Sequence, residues 1–364
     1  MVSLLAYCAA SVFAALSVGL ISLTLARALQ GVTAAVSVPA ALRLLTTLTP
    51  PGGPRRVALA AWSAAGATAG ASGFILGGLA TDLVSWRLPF VATAAVAGIL
   101  AVGAVRSVPG DDGGIRSSQL DVAGGLFLTG AVMCLVVGTT VLSEGRPLLG
   151  AGLVATSAVL VVVLAMVERR VPEPILSQPV LSSAAVRLGA TGSFVNTATT
   201  SSSATLATLH LQNELGLSPL AAGAFLLPLS LAAIMGSVLA GFMQRRLVMS
   251  RALAIGLATI ALGNLVVVAE QGRPAVLVAV AVLGLGLGLA SVAANSIGTD
   301  VAEHLRATAA GILNTAAQVG TATGIAVILL IAASASYPVG WLCAAVGALA
   351  VAGVVVRADR PTHT

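Results

Sequence analysis

Apolar residues in this chain run in long blocks separated by short polar gaps. A helical span needs about 20 mostly apolar residues to cross about 30 Å of hydrocarbon. Twelve stretches fit: 4–20, 22–47, 57–79, 88–107, 122–142, 148–167, 187–210, 219–242, 252–269, 274–296, 308–332 and 339–356. The gaps are too short to hold a soluble domain. An open sheet cannot satisfy its backbone in lipid, and these runs are too long and too uniformly apolar for barrel strands, so the pattern predicts helices throughout. The predicted fold class is an all-α polytopic membrane protein. Residues 1–26 are apolar and Ala-rich like a secretory signal, yet they lack a basic leading region and the apolar character continues past any cleavage site, so the run is read as a span.

Composition agrees. Charged residues make up 8% of the 364 and hydrophobic ones 58%, with mean hydropathy +1.04, whereas an ordinary globular domain carries about 25% charge. A cytosolic enzyme, a disordered chain and a secreted disulfide scaffold are thereby excluded. The net charge of +6 does not indicate a nucleic-acid partner, because aromatics are only 3% and no basic face is interleaved with stacking rings. All 18 basic residues are Arg. With the first residue placed in the cytoplasm, 14 arginines fall on the inner side, Arg87, Arg146 and Arg273 fall on the outer side, and Arg27 lies within a span. This bias follows the positive-inside rule and predicts a multi-pass protein of the cell (plasma) membrane with both termini cytoplasmic.

Two inner gaps punctuate the chain. Pro109 to Leu120 contains Pro-Gly-Asp-Asp-Gly-Gly and Glu168 to Gln178 contains Glu-Arg-Arg-Val-Pro-Glu-Pro, both chemistry that ends helices. The predicted domains are 1–108 with four spans, 109–179 with a central pair and its flanking cytoplasmic loops, and 180–364 with six.

Several residues within spans need a reason. Arg27 carries a permanent charge, costly at the centre of a bilayer unless paired or hydrated. It shares a helical face with Gln30, Gly31 and Ala34. Snorkelling to the interface is the plain reading, and a charge facing an aqueous cavity is the functional one. Gly66, Gly70, Gly73, Gly77 and Gly78 give the third span a small-residue face of the kind that packs membrane helices. Gly284 and Gly288, in Gly-Leu-Gly-Leu-Gly, read as helix packing, since a dinucleotide fingerprint needs a strand before it. The seventh span is rich in Ser and Thr and includes Asn196 and Thr200. It reads as a cavity-lining helix or, in the plain alternative, a flexible linker. His210 stands at its outer end, and Asn314 and Gln318 pair at i, i+4 in the eleventh span. Every Asp and Glu falls in a gap or at a span end, and His210, His304 and His363 are scattered. Cys8, Cys134 and Cys343 stand alone in apolar runs as packing residues. No catalytic constellation, metal site or cofactor is predicted, and no oligomeric state is assigned.

The stretch Arg27-Ala28-Leu29-Gln30-Gly31 resembles the Arg-x-x-Gln-Gly motif of the major facilitator superfamily, and more narrowly of its fourteen-helix drug:proton antiporter branch. Gly66 through Gly73-Phe74-Ile75-Leu76-Gly77-Gly78, followed by Ser85-Trp86-Arg87, is similar to that branch's antiporter motif. Leu211-Gln212, Leu217-Ser218-Pro219, Leu227-Pro228 and Gly311 through Asn314 and Gln318 to Gly324 resemble its C-terminal half. In the branch these first two motifs lie on the fourth and fifth helices, whereas here they lie on the second and third. The resemblance therefore implies a partial N-terminal bundle lacking the first two helices, together with the first-helix aspartate implicated in proton coupling. Phe74 stands where the antiporter motif has Pro.

What the resemblance implies is a permease that exports a hydrophobic or cationic small molecule, coupled to protons, by alternating access around a midplane cavity. Arg27, Gln30 and His210 would serve proton coupling or cavity electrostatics, and Gly66, Gly70, Gly73, Gly77 and Gly78 the contact that controls closure. Thr33, Asn196, Thr200, Gln212, Asn314 and Gln318 would line the substrate path, from their polarity and spacing. The partners are then a small-molecule substrate, protons and the lipid bilayer. Two rivals stay open: a truncated, non-transporting fragment or assembly partner of another permease, and a membrane-embedded enzyme.

Overall fold

A computed structural model describes residues 2–50, 54, 58, 73, 77–80, 84–107, 122–168, 180, 182–244, 247–302 and 305–358. Most of the third predicted span, with Gly66, Gly70 and Phe74, lies outside the described residues, as do His304, His363 and most of the two punctuating gaps.

Twelve helices are present among the described residues: α1 (Val2–Ala15), α2 (Leu20–Leu48), α3 (Leu88–Ser107), α4 (Val122–Ser143), α5 (Pro147–Glu168), α6 (Ala184–Asn213), α7 (Pro219–Phe225), α8 (Leu227–Met243), α9 (Met249–Ala269), α10 (Arg273–Gly298), α11 (Arg306–Ser334) and α12 (Tyr337–Ala358). Eight spans among these residues are long and apolar enough to cross a membrane, α7 and α8 counting as one. At 30 residues α6 is long enough, and its hydroxyl content keeps it out of that set.

The structure departs from the predicted spans at two places. The first span ends early: α1 stops at Ala15 after 14 residues, and a turn follows in which the Ser17 hydroxyl takes the Ala14 carbonyl at 2.7 Å before α2 begins at Leu20. The stretch 219–242 is two helices, α7 and α8, divided at Leu226. Pro228, in the first turn of α8, lacks an N–H and crowds the carbonyl four residues before it, which interrupts a continuous helix.

The chain forms two compact units: Met1–Arg116 with Leu217–Ala224, and Ser117–Gly216 with Phe225–Thr364. In the first, α1 packs on α2 and α3, with small buried residues, Ala10, Ala14, Ala26, Ala97 and Ala101, at the contact. Arg87 fastens the start of α3, stacking over Trp86 at 4.2 Å and donating to the Ser17 carbonyl at 2.9 Å. In the second unit α10 packs on α6, α8 and α9, α6 packs on α11 and α12, and α9 packs on α12. The pair α4–α5 joins this unit through the contact of α4 with α11. The glycines of Gly-Leu-Gly-Leu-Gly work as their spacing predicts: a Cβ on Gly284 or Gly288 would collide with the α8 backbone at Leu229 or Ala233. Such close approach is how membrane helices gain dispersion contact without a hydrophobic driving force.

Candidate functional site

Polar groups inside apolar helices must find partners, because an unpaired buried donor or acceptor costs about 1–3 kcal/mol. Following those partners reveals a polar chain in the first unit. Arg27 Nη1 donates to Gln30 Oε1 at 3.0 Å, one turn along α2. Gln30 is 3% exposed and its Nε2 donates to Ser11 Oγ of α1 at 2.7 Å. Ser11 in turn donates to the Tyr7 carbonyl at 2.8 Å. The Arg27 guanidinium, exposed at the other end of this chain, lies 5.9 Å from the centre of the Phe90 ring on α3, within cation–π range. Thr33, a turn on, spends its hydroxyl on the Leu29 and Gln30 carbonyls.

Of the small-residue face, Gly73, Gly77 and Gly78 are described, and they differ. A Cβ at Gly73 or Gly77 would meet nothing within 4 Å, while one at Gly78 would meet Leu220 Cα and the Pro219 carbonyl at 2.7 Å. Gly73 and Gly77 also help wall an apolar cavity of 810 Å³ with Leu4 and Tyr7 of α1 and Leu88 and Ala92 of α3.

In the second unit α6 carries the polar groups. Most of its hydroxyls return to their own helix, Thr200 to the Asn196 carbonyl at 2.6 Å and Ser202 to the Ala198 carbonyl at 2.7 Å, which lets a Ser/Thr-rich helix exist away from water. Others reach neighbours: Asn196 Nδ2 donates to Ser291 Oγ of α10 at 2.8 Å, Thr197 to the Ala317 carbonyl of α11 at 2.6 Å, and Ser203 to Asn264 Oδ1 of α9 at 2.5 Å. Asn196 Oδ1 is buried with no hydrogen-bond partner among the described residues. Asn314 and Gln318 are exposed on α11, and Gln212 is half-buried near the end of α6. The structure thus joins Arg27 to Gln30 within the first unit, and in the second it sets Asn196 and Thr200 in the buried face of α6 but Asn314 and Gln318 on an exposed one.

His210 closes the α6 series in an aromatic cage. It is 4% exposed, with Tyr337 and Trp341 of α12 edge-on at ring distances of 5.6 and 5.5 Å. Its Nε2 lies 2.9 Å from the Gln271 carbonyl oxygen. A carbonyl can only accept, so Nε2 donates here, and Nδ1 is buried with no hydrogen-bond partner among the described residues. Tyr337 also lines an apolar cavity of 660 Å³ bounded by Met133 and Thr139 of α4, Leu206 of α6, and Ile325 and Leu329 of α11. Sequence reading singled out His210 but not Trp341, Tyr337 or Asn264, because a lone aromatic or amide in an apolar run gives no sign of what it faces.

Residues 189–364 match the model of the Major Facilitator Superfamily. The chain is 34% identical over 256 residues to a lincomycin resistance protein of Streptomyces lincolnensis, covering 69% of this chain and 52% of that protein. It is 31% identical to a puromycin resistance protein of Streptomyces alboniger, covering 86% and 64%. It is 29% identical to a tetracenomycin C resistance and export protein of Streptomyces glaucescens, covering 64% and 43%. The chain therefore spans between two fifths and two thirds of the length of these relatives. In fold it is similar to a bacterial homolog of the human lysosomal transporter Spinster, with TM-score 0.63, 15% identity, and coverage of 100% of this chain and 83% of that one.

Proposed function

The chain belongs to the major facilitator superfamily, and from that premise we propose that it exports a hydrophobic or cationic small molecule, of the drug or antibiotic class, by proton-coupled alternating access in the plasma membrane. The observation that carries the reading is the similarity, over 86% of this chain, to a protein named for puromycin resistance, beside a second relative named for resistance and export. A multi-pass helical fold that positions buried polar groups among apolar cavities supports it, with the arginine bias setting both termini in the cytoplasm. The polar chain and the branch-specific motifs favour the drug:proton antiporter branch.

In this reading the apolar moiety of the substrate rests in the 660 Å³ cavity, a volume ordinary for small-molecule sites. Tyr337 touches both that cavity and the His210 ring. His210, whose buried Nδ1 has no partner among the described residues, is the proton-coupling candidate of this unit, between the Tyr337 and Trp341 rings. Arg27 and Gln30 supply fixed charge and its orientation in the first unit, where Gly78 makes the close contact, against Pro219 and Leu220, while Gly73 and Gly77 wall the apolar cavity. In the second unit Asn196, through its unpartnered Oδ1, is the candidate acceptor for a cationic or hydrogen-bonding substrate, with Gln212, Asn314 and Gln318 the other candidate path residues.

Everted vesicles carrying the protein test this directly. Proton-driven uptake of a fluorescent cationic dye is expected, abolished by a protonophore. Arg27→Ala and His210→Phe should each lower it. Dye movement absent from the wild-type vesicles, or unaltered in both variants, overturns the reading.

A further inference from the structure

At one end of the second unit five helix termini converge on a cavity of 650 Å³: the first turns of α6, α9 and α11 and the last turns of α8 and α10. Its polar wall comprises Gln244, Ser250, Ser296, Thr299, Asp300 and Arg306, beside apolar Leu188 and Ile297. The helix that opens at Ser183 has no side-chain cap bond, nor has the one whose cap position is Val248, nor the one whose cap position is Leu305. None of the three has an acidic residue in its first turn. Three N-termini thus bring partial positive charge to this cavity with no side-chain cap and no first-turn acid of their own. Helix N-termini arranged in this way are anion sites.

A second observation points the same way. Ser250, in the first turn of α9, is 9% exposed, and its buried hydroxyl has no hydrogen-bond partner among the described residues. The other wall hydroxyls are already engaged: Ser296 accepts from Gln244 at 3.1 Å, and Thr299 donates to the Asn295 carbonyl at 2.7 Å. Among the described residues Arg306 donates from its Nε to the Val301 carbonyl at 3.3 Å, and its terminal nitrogens make no hydrogen bond within that set.

We propose that this cavity binds the phosphate-bearing headgroup of a membrane lipid, with Arg306, Ser250 and the first-turn N–H groups of α9 on the phosphate. The location carries the choice of source, since helix ends lie at headgroup depth and Arg187, Arg251 and Arg306 gather at this end, as at a leaflet of anionic lipid. Asp300 carries it further. Its carboxylate repels a bare phosphate, but accepts from the ammonium or hydroxyl that a phosphoethanolamine or phosphoglycerol headgroup holds beside its phosphate. Leu188 and Ile297 suit the lipid's glycerol and upper acyl carbons. The inference rests on the membrane-spanning fold and not on transport, so it stands or falls separately from the export reading.

Native mass spectrometry of the delipidated full chain tests it. Phosphatidylglycerol and phosphatidylethanolamine should each give saturable binding, while dioleoylglycerol, which lacks the phosphate, should not. Arg306→Gln should weaken phospholipid binding by about tenfold, the loss of one charge-assisted hydrogen bond, and Ser250→Ala should weaken it less. Arg273→Gln, at the opposite end of α10, should leave it unchanged, and elution as a single symmetric peak checks that each variant is folded. Inorganic phosphate that binds in an Arg306-dependent way, with no binding of either phospholipid, would assign the site to free phosphate and overturn the lipid source. Phospholipid binding equal to that of dioleoylglycerol, or indifferent to Arg306→Gln in a folded protein, overturns the site.

Discussion

Gln30 and Ser11 are joined at 2.7 Å across the α1–α2 contact, the amide donating to the hydroxyl. The bond ties the charged Arg27 side chain, held by the same Gln30 amide through its oxygen, to the interior of the first unit. Ser11→Ala leaves the Gln30 amide buried and without its acceptor and should cost about 1–3 kcal/mol. The pair Ser11→Ala with Gln30→Leu should cost less than the sum of the single changes. Thermal stability of the four proteins in detergent measures the coupling, and simple additivity would show that the bond carries no stability.

Glycine is required at some positions and not at others. Gly288→Ala drives a methyl into the Ala233 carbonyl of α8 and should destabilise the protein by about 1–3 kcal/mol, the usual range for overpacking. Gly347→Ala on α12 has nothing within 4 Å and should leave the melting temperature unchanged. The same contrast holds between Gly78→Ala and Gly77→Ala in the first unit.

Asn196 and Thr200 lie one turn apart, and their roles separate. The Thr200 hydroxyl is spent on its own helix, so Thr200→Val should change neither stability nor export by more than a small amount. Asn196→Leu removes the unpartnered Oδ1 together with the bond to Ser291. It should raise the dye concentration for half-maximal export several-fold, with a stability change of only about 1 kcal/mol. A fall in maximal rate at constant half-saturation would place Asn196 outside the substrate path.

Orientation is testable with single cysteines in a background where Cys8, Cys134 and Cys343 are replaced by Ala. Glu214, just after α6, and Leu247, just before α9, lie at opposite ends of the α7–α8 crossing. Glu214→Cys should react with a membrane-impermeant maleimide in intact cells, and Leu247→Cys only after permeabilisation. The reverse pattern would invert the arginine-based assignment.

Much of the helical architecture was legible because it depends on local quantities. Run length and apolarity placed α3, α4, α5, α9, α10, α11 and α12 within a few residues, and the spacing of Gly284 and Gly288 announced a close helix contact. The break at Leu226 was also available, since Pro228 marks it, but an apolar run that continues through a proline hides the interruption from any hydropathy window. The early end of α1 had only Ser17 and Gly19 to signal it.

By itself the sequence determined that this protein is a bundle of membrane helices, because lipid leaves a backbone no other way to satisfy its hydrogen bonds over runs of this length. It also singled out Arg27, Gln30, Asn196 and His210, since polar groups in apolar runs stand out. Only the tertiary structure decided what each of them meets. Partner choice depends on residues far apart in the chain, Gln30 with Ser11, Asn196 with Ser291, His210 with Gln271, Tyr337 and Trp341. Helix rotation and crossing bring these side chains together, and no periodicity in one segment records the face that another segment turns toward it.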